Sequence, residues 1–387
     1  MNKQKICIIG GGLTGLFTAA TLSKLNLEID FVTNNSNQIK KSCRTTAISQ
    51  ENYEFIRKLK ILKSLEQNLW PCSKMKLYTD EKNKFSEIFE INKTNTKSKK
   101  VFYMIENSKL IKCLNKKILE TKLIKLVKKK KVSEIINIDL LKGFKFEKEM
   151  SSKYNLIIIC TGGNSQLIKN LITNKIYKRD YNELAITVIL KHNYLKNNVA
   201  RQVFLNDGVL AFLPISNSKT SVVWYVKKKF IENNNIIKKK IELYAKEFFK
   251  KIEFASNLEK KELYLLIRNK YHSERVLLFG DAIHLVHPLA GQGTNMMLRD
   301  LNVLTEILNS KINLGLDIGS NDVLSEFANM TKSKNFAYSL GIDLIRKSFK
   351  FKKTPLKNLR NKIVMEINKN NIIKNIFYNI ANKGLKL

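Results

Sequence analysis

The chain has 387 residues, 44% of them hydrophobic and 27% charged, and carries a formal net charge of +37. A chain of this size and apolar content buries a core, which excludes disorder, and no apolar run approaches the ~20 residues that cross a bilayer. The charge is dispersed lysine without arginine–aromatic interleaving, so it reads as solvated faces or as attraction to anionic lipid, and no nucleic-acid partner is expected.

The first stretch, "MNKQKICIIGGG", lacks a secretory signal because its apolar residues run straight into glycines. The chain is therefore expected to begin at or near Met1 and to stay in the cytoplasm. Ile6, Cys7, Ile8 and Ile9 make a short apolar strand of the buried parallel type. Gly10, Gly12 and Gly15 follow in G-x-G-x-x-G register, ahead of a helix face of Leu16, Ala19, Ala20 and Ser23. One glycine makes the tight turn, one lets the backbone touch a pyrophosphate, and one lets the helix pack closely on the sheet. The helix N-terminus then offers N–H groups to the phosphates. The next strand, "EIDFVTNN" (28–35), should end in an acidic residue that holds a ribose. Thr33 or Asn34 stands there instead, and Asp30 lies earlier in the strand.

The five cysteines, Cys7, Cys43, Cys72, Cys113 and Cys160, form no C-x-x-C pair and read as reduced thiols, against a disulfide framework or a zinc site. "KKKK" (128–131) reads as a solvated turn, and "LIIIC" (156–160) as a strand. Residues 199–226 read as period-two strands separated by "NDG" and "SNS" turns, their aromatic positions assigned to the core. "ERVLLFGD" (274–281) is a strand from Val276 to Phe279 ending in Gly280 and Asp281. Leu298, Leu301, Leu304 and Leu308 repeat at helical spacing, which places a helix start between Gly293 and Asn295. The loop between carries Pro288, Gly291 and Gly293, so its N–H groups and the helix dipole face an anionic ligand. Asp281 is placed to accept hydrogen bonds from hydroxyl groups of that ligand. His284 and His287 lack a third metal ligand and read as hydrogen-bonded loop residues.

Gly280-Asp281-Ala282, His284, His287-Pro288, Gly291-Gln292-Gly293, Asn295 and Leu298-Arg299-Asp300 together resemble a known motif. It is the second FAD-binding motif of the flavin-dependent aromatic hydroxylases, in the form of the UbiH/UbiF/UbiI branch of ubiquinone biosynthesis. The resemblance implies that Asp281 contacts the ribityl chain of FAD. It also implies that Pro288 and the Gly291-Gln292-Gly293 backbone lie along the isoalloxazine ring, with the helix start at Asn295 facing its N1–C2=O edge. "CRTTAISQENYEFIRKLKIL" (43–62) is similar to the segment in which Arg44 would meet the pyrophosphate. "VFYMIENSKLIKCL" (101–114) resembles the strand and helix that close on the cofactor domain. Phe204 to Pro214 and Trp224 resemble the substrate sheet, and Asp343 with the helices to Leu387 the closing helices. Two positions depart: Thr161 stands where the middle motif has Asp, and Thr33 where the ribose acid is expected.

The implied fold is α/β (α+β), a Rossmann-like FAD-binding domain of the aromatic-hydroxylase type with an inserted mixed β-sheet substrate domain and C-terminal helices. The FAD-binding domain would comprise 1–73, 102–166 and 268–335, the substrate domain 74–101 and 167–267, and the helical segment 336–387. Gly10, Gly12, Gly15, Thr33, Arg44, Asp281, Pro288, Gly291, Gln292, Gly293 and Asn295 would bind the cofactor. By the same resemblance NAD(P)H reduces FAD, O2 gives a flavin C4a-hydroperoxide, and the ring of a polyprenylated phenol attacks its distal oxygen. The chemistry is flavin-centred, so no acid–base residue is named. A basic face at 346–367, with Phe349, Phe351, Leu356 and Leu359, would sit peripherally on the inner face of the membrane. Three alternatives stay open: another FAD-dependent oxidoreductase of this fold; a non-catalytic scaffold in a quinone-biosynthesis complex, which the two threonines favour; and a nucleic-acid-binding protein, which would explain the charge but not the two phosphate loops.

Overall fold

Ile6, Cys7, Ile8 and Ile9 have no polar side chain to turn toward water, and the strand they form lies inside a sheet with both faces covered. The computed structural model describes residues 3–33, 42–60, 65–81, 84–92, 100–128, 132–146, 149–171, 176–230, 233–349 and 354–384. Asn34, the lysines at 129–131 and Phe351 lie outside the described residues. The sheet has six strands, in the order His272–Ser273, Val276–Leu278, Leu156–Ile159, Gln4–Ile9, Leu27–Thr33 and Ile124–Lys128. All neighbours are parallel except the first pair. The helices Leu13–Leu22, Asn107–Leu119 and Gln292–Asn313 bury Leu16, Leu110, Leu114 and Leu298 in the same core, with Phe144 and Tyr154 beside them. Cys7 and Cys160 fill core positions there.

A second sheet of nine strands is mixed, because Val199–Phe204 runs parallel to Lys74–Glu81 but antiparallel to Gly208–Ser216. Period-two alternation divides its faces. Ile186, Leu210, Phe212 and Trp224 pack under the helix Asn234–Ala245. Ala185, Ala211, Val223 and Tyr225 point to the other side. Trp224 is therefore core, whereas its neighbour Tyr225 faces the space between the two sheets. A small sheet, Thr45–Ser49 with Phe102–Glu106 and Trp70–Cys72, closes that space from the side.

Four helices finish the chain: Gln292–Asn313, Asn321–Ser348, Thr354–Lys369 and Asn371–Lys383. The second of them crosses position 335, where the cofactor domain was expected to give way to the closing segment. Its first half packs Leu324 and Phe327 on the parallel-sheet core, and its second half presents Tyr338 and Ile342 to a cluster that includes Phe204 and Leu289. One helix thus serves both units.

Candidate functional site

Three adjacent parallel strands end at the same edge, and each leads into a glycine: Gly10, Gly162 and Gly280. This edge, at the carboxyl ends of the strands, is where open α/β sheets bind ligands. Gly10 has φ +130°, and a Cβ there would stand 2.7 Å from the Cys160 carbonyl carbon. A Cβ on Gly15 would stand 1.8 Å from the Gly10 carbonyl oxygen, so only glycine lets the helix lie this close to its strand. Gly12 differs, since a Cβ on it would meet nothing within 4 Å. It is the N-cap of the helix Leu13–Leu22 and supplies no side chain to the first N–H groups. The helix Gln292–Asn313 begins the same way. Its N-cap, Gly291, sits at φ +64° without a side-chain cap, and Gly293 also opens on free space.

Both uncapped helix starts lie on the wall of one cavity of about 1760 Å³. Orphan N–H groups with the positive end of a helix dipole behind them make an anion cradle, and here two share one cavity. Thr33, Arg44, Thr161, Asp281 and Pro288 line it as well. Arg44 is not idle, because its Nε lies 2.7 Å from Glu259 Oε1 and 3.1 Å from Ser42 Oγ. Thr33 backs the first glycine turn, where a Cβ on Gly11 would fall 2.0 Å from its Oγ1. Asp30 is turned into the core, paired with Lys5 at 3.0 Å and accepting from the Tyr154 hydroxyl at 2.7 Å. Burial, with Asp30 as acceptor, pushes the Tyr154 phenol pKa upward.

The remaining expected residues act on the loop as much as on the cavity. Asn295 is 2% exposed, and its Nδ2 donates to the carbonyls of Ala47 (3.0 Å) and Gly291 (3.2 Å). Its Oδ1 accepts from the Ser49 N–H and from Asn52 Nδ2, both at 2.9 Å. Gln292 Oε1 accepts from the Tyr338 hydroxyl at 2.8 Å, and the Pro288 carbonyl from the Tyr225 hydroxyl at 3.1 Å. Both histidines are held by carboxylates: His284 Nε2 is 3.1 Å from Asp300, and His287 Nε2 is 2.9 Å from Glu183. His287 Nδ1 accepts from the Leu289 N–H at 3.2 Å, which places the ring proton on Nε2, facing Glu183. Glu183 continues to Arg346 at 3.1 Å, and Arg346 to Asp343 at 3.3 Å, so a buried chain of charge ties the loop to the helix Asn321–Ser348.

Arg268 has no motif to announce it. Only 3% exposed, it donates to the carbonyls of Ala282 and Gly163 at 2.8 Å each and so clasps the loops that follow two sheet strands. Burial lowers its pKa from the usual arginine value. A lone arginine closing the apolar run "LYLLIR" was the available signal. Tyr225 was legible in principle, since period two puts it on the face opposite Trp224.

Away from the glycine loops the cavity is walled by apolar side chains of the nine-stranded sheet and the closing helices, among them Leu77, Phe89, Phe204 and Phe349. Val364, Ile367 and Phe377, from the last two helices, line it too.

A family described as the FAD binding domain matches residues 3–314. The chain is 25% identical over 460 residues to the ubiquinone biosynthesis monooxygenase COQ6, mitochondrial, of Dictyostelium discoideum, covering 98% of this chain and 91% of that one. It is 28% identical over 224 residues to the 3-demethoxyubiquinol 3-hydroxylase of Escherichia coli, spanning 57% of each. Its fold is that of the p-nitrophenol 4-monooxygenase PnpA of Pseudomonas putida, with a TM-score of 0.79 at 13% identity over 100% of this chain and 99% of that one.

Proposed function

The chain belongs to the FAD binding domain family, and on that premise we propose that it hydroxylates the aromatic ring of a polyprenylated phenol of ubiquinone biosynthesis, using O2 and NAD(P)H. The observation that carries the reading is the joining of two uncapped helix starts to an apolar wall within one cavity. At about 1760 Å³ it exceeds the ~300–1,000 Å³ of an ordinary small-molecule pocket, leaving room for a cofactor and an apolar second molecule.

Gly10, Gly12 and Gly15 would hold the pyrophosphate of FAD, with Arg44 added to the anion and Thr33 offering a hydroxyl to the ribose. Asp281 would take the ribityl hydroxyls, and Pro288, Gly291, Gln292 and Gly293 the flavin ring. Asn295 would act by holding the Gly291 turn. Bound there, FAD supplies the electron transfer and oxygen activation that side chains lack. The helix Gln292–Asn313 favours negative charge at its start, and the apolar wall excludes water.

The closing helices suit a lipid-tailed substrate. Leu359, Ile363 and Met365 on one, and Ile372, Ile376 and Phe377 on the next, are exposed among lysines, while Phe377 also lines the cavity. We assign this face to the surface of an anionic membrane. Among the described residues no helix is long and apolar enough to cross one. Flotation with anionic vesicles at physiological salt, and none with neutral ones, is the expected result; no flotation with either removes the assignment.

The decisive experiment is the visible spectrum of the purified protein, with the released flavin identified and products from short-chain prenylated phenols analysed by mass. Stoichiometric FAD and a product gaining one oxygen atom support the proposal. Flavin without hydroxylation points to another FAD-dependent oxidoreductase. A protein that stays colourless with added FAD overturns the enzyme and leaves the scaffold that Thr33 and Thr161 favour.

A further inference from the structure

Gln202 is 3% exposed, lies on the cavity wall, and has no hydrogen-bond partner for its Nε2. It sits in the middle of the strand Val199–Phe204, whose alternate residues Ala200 and Phe204 also line the cavity. In register beside it stand Leu77 on one side and Ala211 on the other, followed by Phe89 and Val223. The amide is thus set into an apolar floor. Its neighbour Arg201 is turned away, over the rings of Phe248 and Phe249 at 5.0 and 5.8 Å.

A buried amide without a partner is costly, and a leucine of similar volume would remove the cost. Its retention in the floor calls for a partner that enters the cavity. Charge does not supply one. Across the sheet the row runs from Gln202 through Ala211, Val223 and Thr187 to Glu259, four strands away, or roughly 19 Å at ~4.8 Å per strand. The polar feature of the loop, the Pro288 carbonyl held by Tyr225, is two strands from Gln202 and one row further along the same face, in the row Tyr225–Val209–Phe204, with the small Ala211 beside Gln202 on the intervening strand.

We propose that Gln202 is a specificity-determining residue that hydrogen-bonds an uncharged ring oxygen of the substrate, a phenol hydroxyl or a quinone carbonyl, while the ring lies over Ala211. The inference rests on the hydroxylase reading above and adds to it the group by which the ring is recognised and turned. An aromatic ring bearing only the prenyl chain would fit the same floor and leave the amide unpaired.

The test compares binding of 2-geranylphenol and geranylbenzene to the flavin-loaded full chain by calorimetry. The wild-type protein is expected to prefer the phenol by on the order of ten-fold, the worth of one well-placed hydrogen bond. In Gln202→Leu that preference should fall to near parity through loss of phenol affinity, with arene affinity kept. The melting temperature of the ligand-free variant should hold or rise, whereas an amide needed by the fold would lower it. Gln202→Met serves as a second apolar variant should leucine fail to fold. Retention of the preference in the variants, equal loss of both ligands, or no preference in the wild type overturns the role of Gln202. Flavin content and hydroxylated product are read from the same samples. Their absence in the wild type sinks the hydroxylase reading itself, whereas product formation with an intact preference in Gln202→Leu sinks this inference alone.

Discussion

Asn295→Ala strips four hydrogen bonds from one turn, those to the carbonyls of Ala47 and Gly291, the Ser49 N–H and Asn52 Nδ2. Ser49 and Asn52 are themselves buried, so the Ser49 N–H loses its acceptor where water is scarce, whereas Asn52 Nδ2 keeps the Asn295 carbonyl at 3.1 Å. Each buried group left unpaired costs about 1–3 kcal/mol, and partial refilling by water brings the sum to about 2–4 kcal/mol. With an unfolding entropy near 2.1 cal/mol/K per residue, or roughly 0.8 kcal/mol/K for 387 residues, the melting temperature should drop by roughly 3–5 °C. The assay is thermal unfolding of the flavin-free variant, paired with an FAD titration. FAD affinity should weaken as well, because Gly291 and Gly293 ride on the same turn. An unchanged melting temperature with FAD affinity down more than about a hundred-fold would refute the reasoning, since Asn295 would then be a direct ligand and not a brace.

Gly12→Ala and Gly15→Ala should part company. The first meets nothing within 4 Å and should fold normally yet lose FAD affinity by ten-fold or more, whereas the second puts a Cβ 1.8 Å from the Gly10 carbonyl oxygen and should yield little folded protein; circular dichroism and flavin titration check both. Arg346→Met leaves Glu183 and Asp343 buried without their shared cation, and breaking such a pair costs about 3–5 kcal/mol. A melting temperature within a degree of wild type would count against that network. Burial alone would push the Asp343 carboxyl up, but Arg179, Arg346 and Lys347 hold it below the usual carboxylate range. A depressed carboxylate stabilises fully above its unfolded pKa of about 3.9 and loses that contribution as pH falls further, so Asp343→Asn should flatten the acid limb of the stability curve.

The glycine loops were readable because the backbone itself demands glycine there, and a run of apolar residues beside them announces a buried strand. The strand end at Thr33 and the core position of Trp224 follow from such local rules, and the helix expected from between Gly293 and Asn295 begins slightly earlier, at Gln292, because the left-handed Gly291 caps it. Partners chosen across the fold do not. Asn295 reads as a cofactor contact in one dimension, and three of its four side-chain hydrogen bonds, which go to residues more than two hundred positions earlier, are invisible there. His287 and Glu183 are 104 residues apart, Arg268 and Gly163 105 apart, and no spacing rule links them. Gln202 looks like one more polar residue in a strand until register sets Leu77 and Ala211 beside it. Neighbours of this kind are properties of the assembled fold.

The order of the parallel sheet also bears on how the chain is made. Gln4–Ile9 leaves the ribosome before both of its neighbours, and one of them, Leu156–Ile159, follows about 150 residues later. At ~5–20 residues per second that is roughly 8–30 seconds of synthesis during which an isoleucine-rich edge has no partner on that side. Such an edge invites pairing with other nascent chains. The chain's net charge of +37 opposes such pairing, because nascent chains of like charge repel one another.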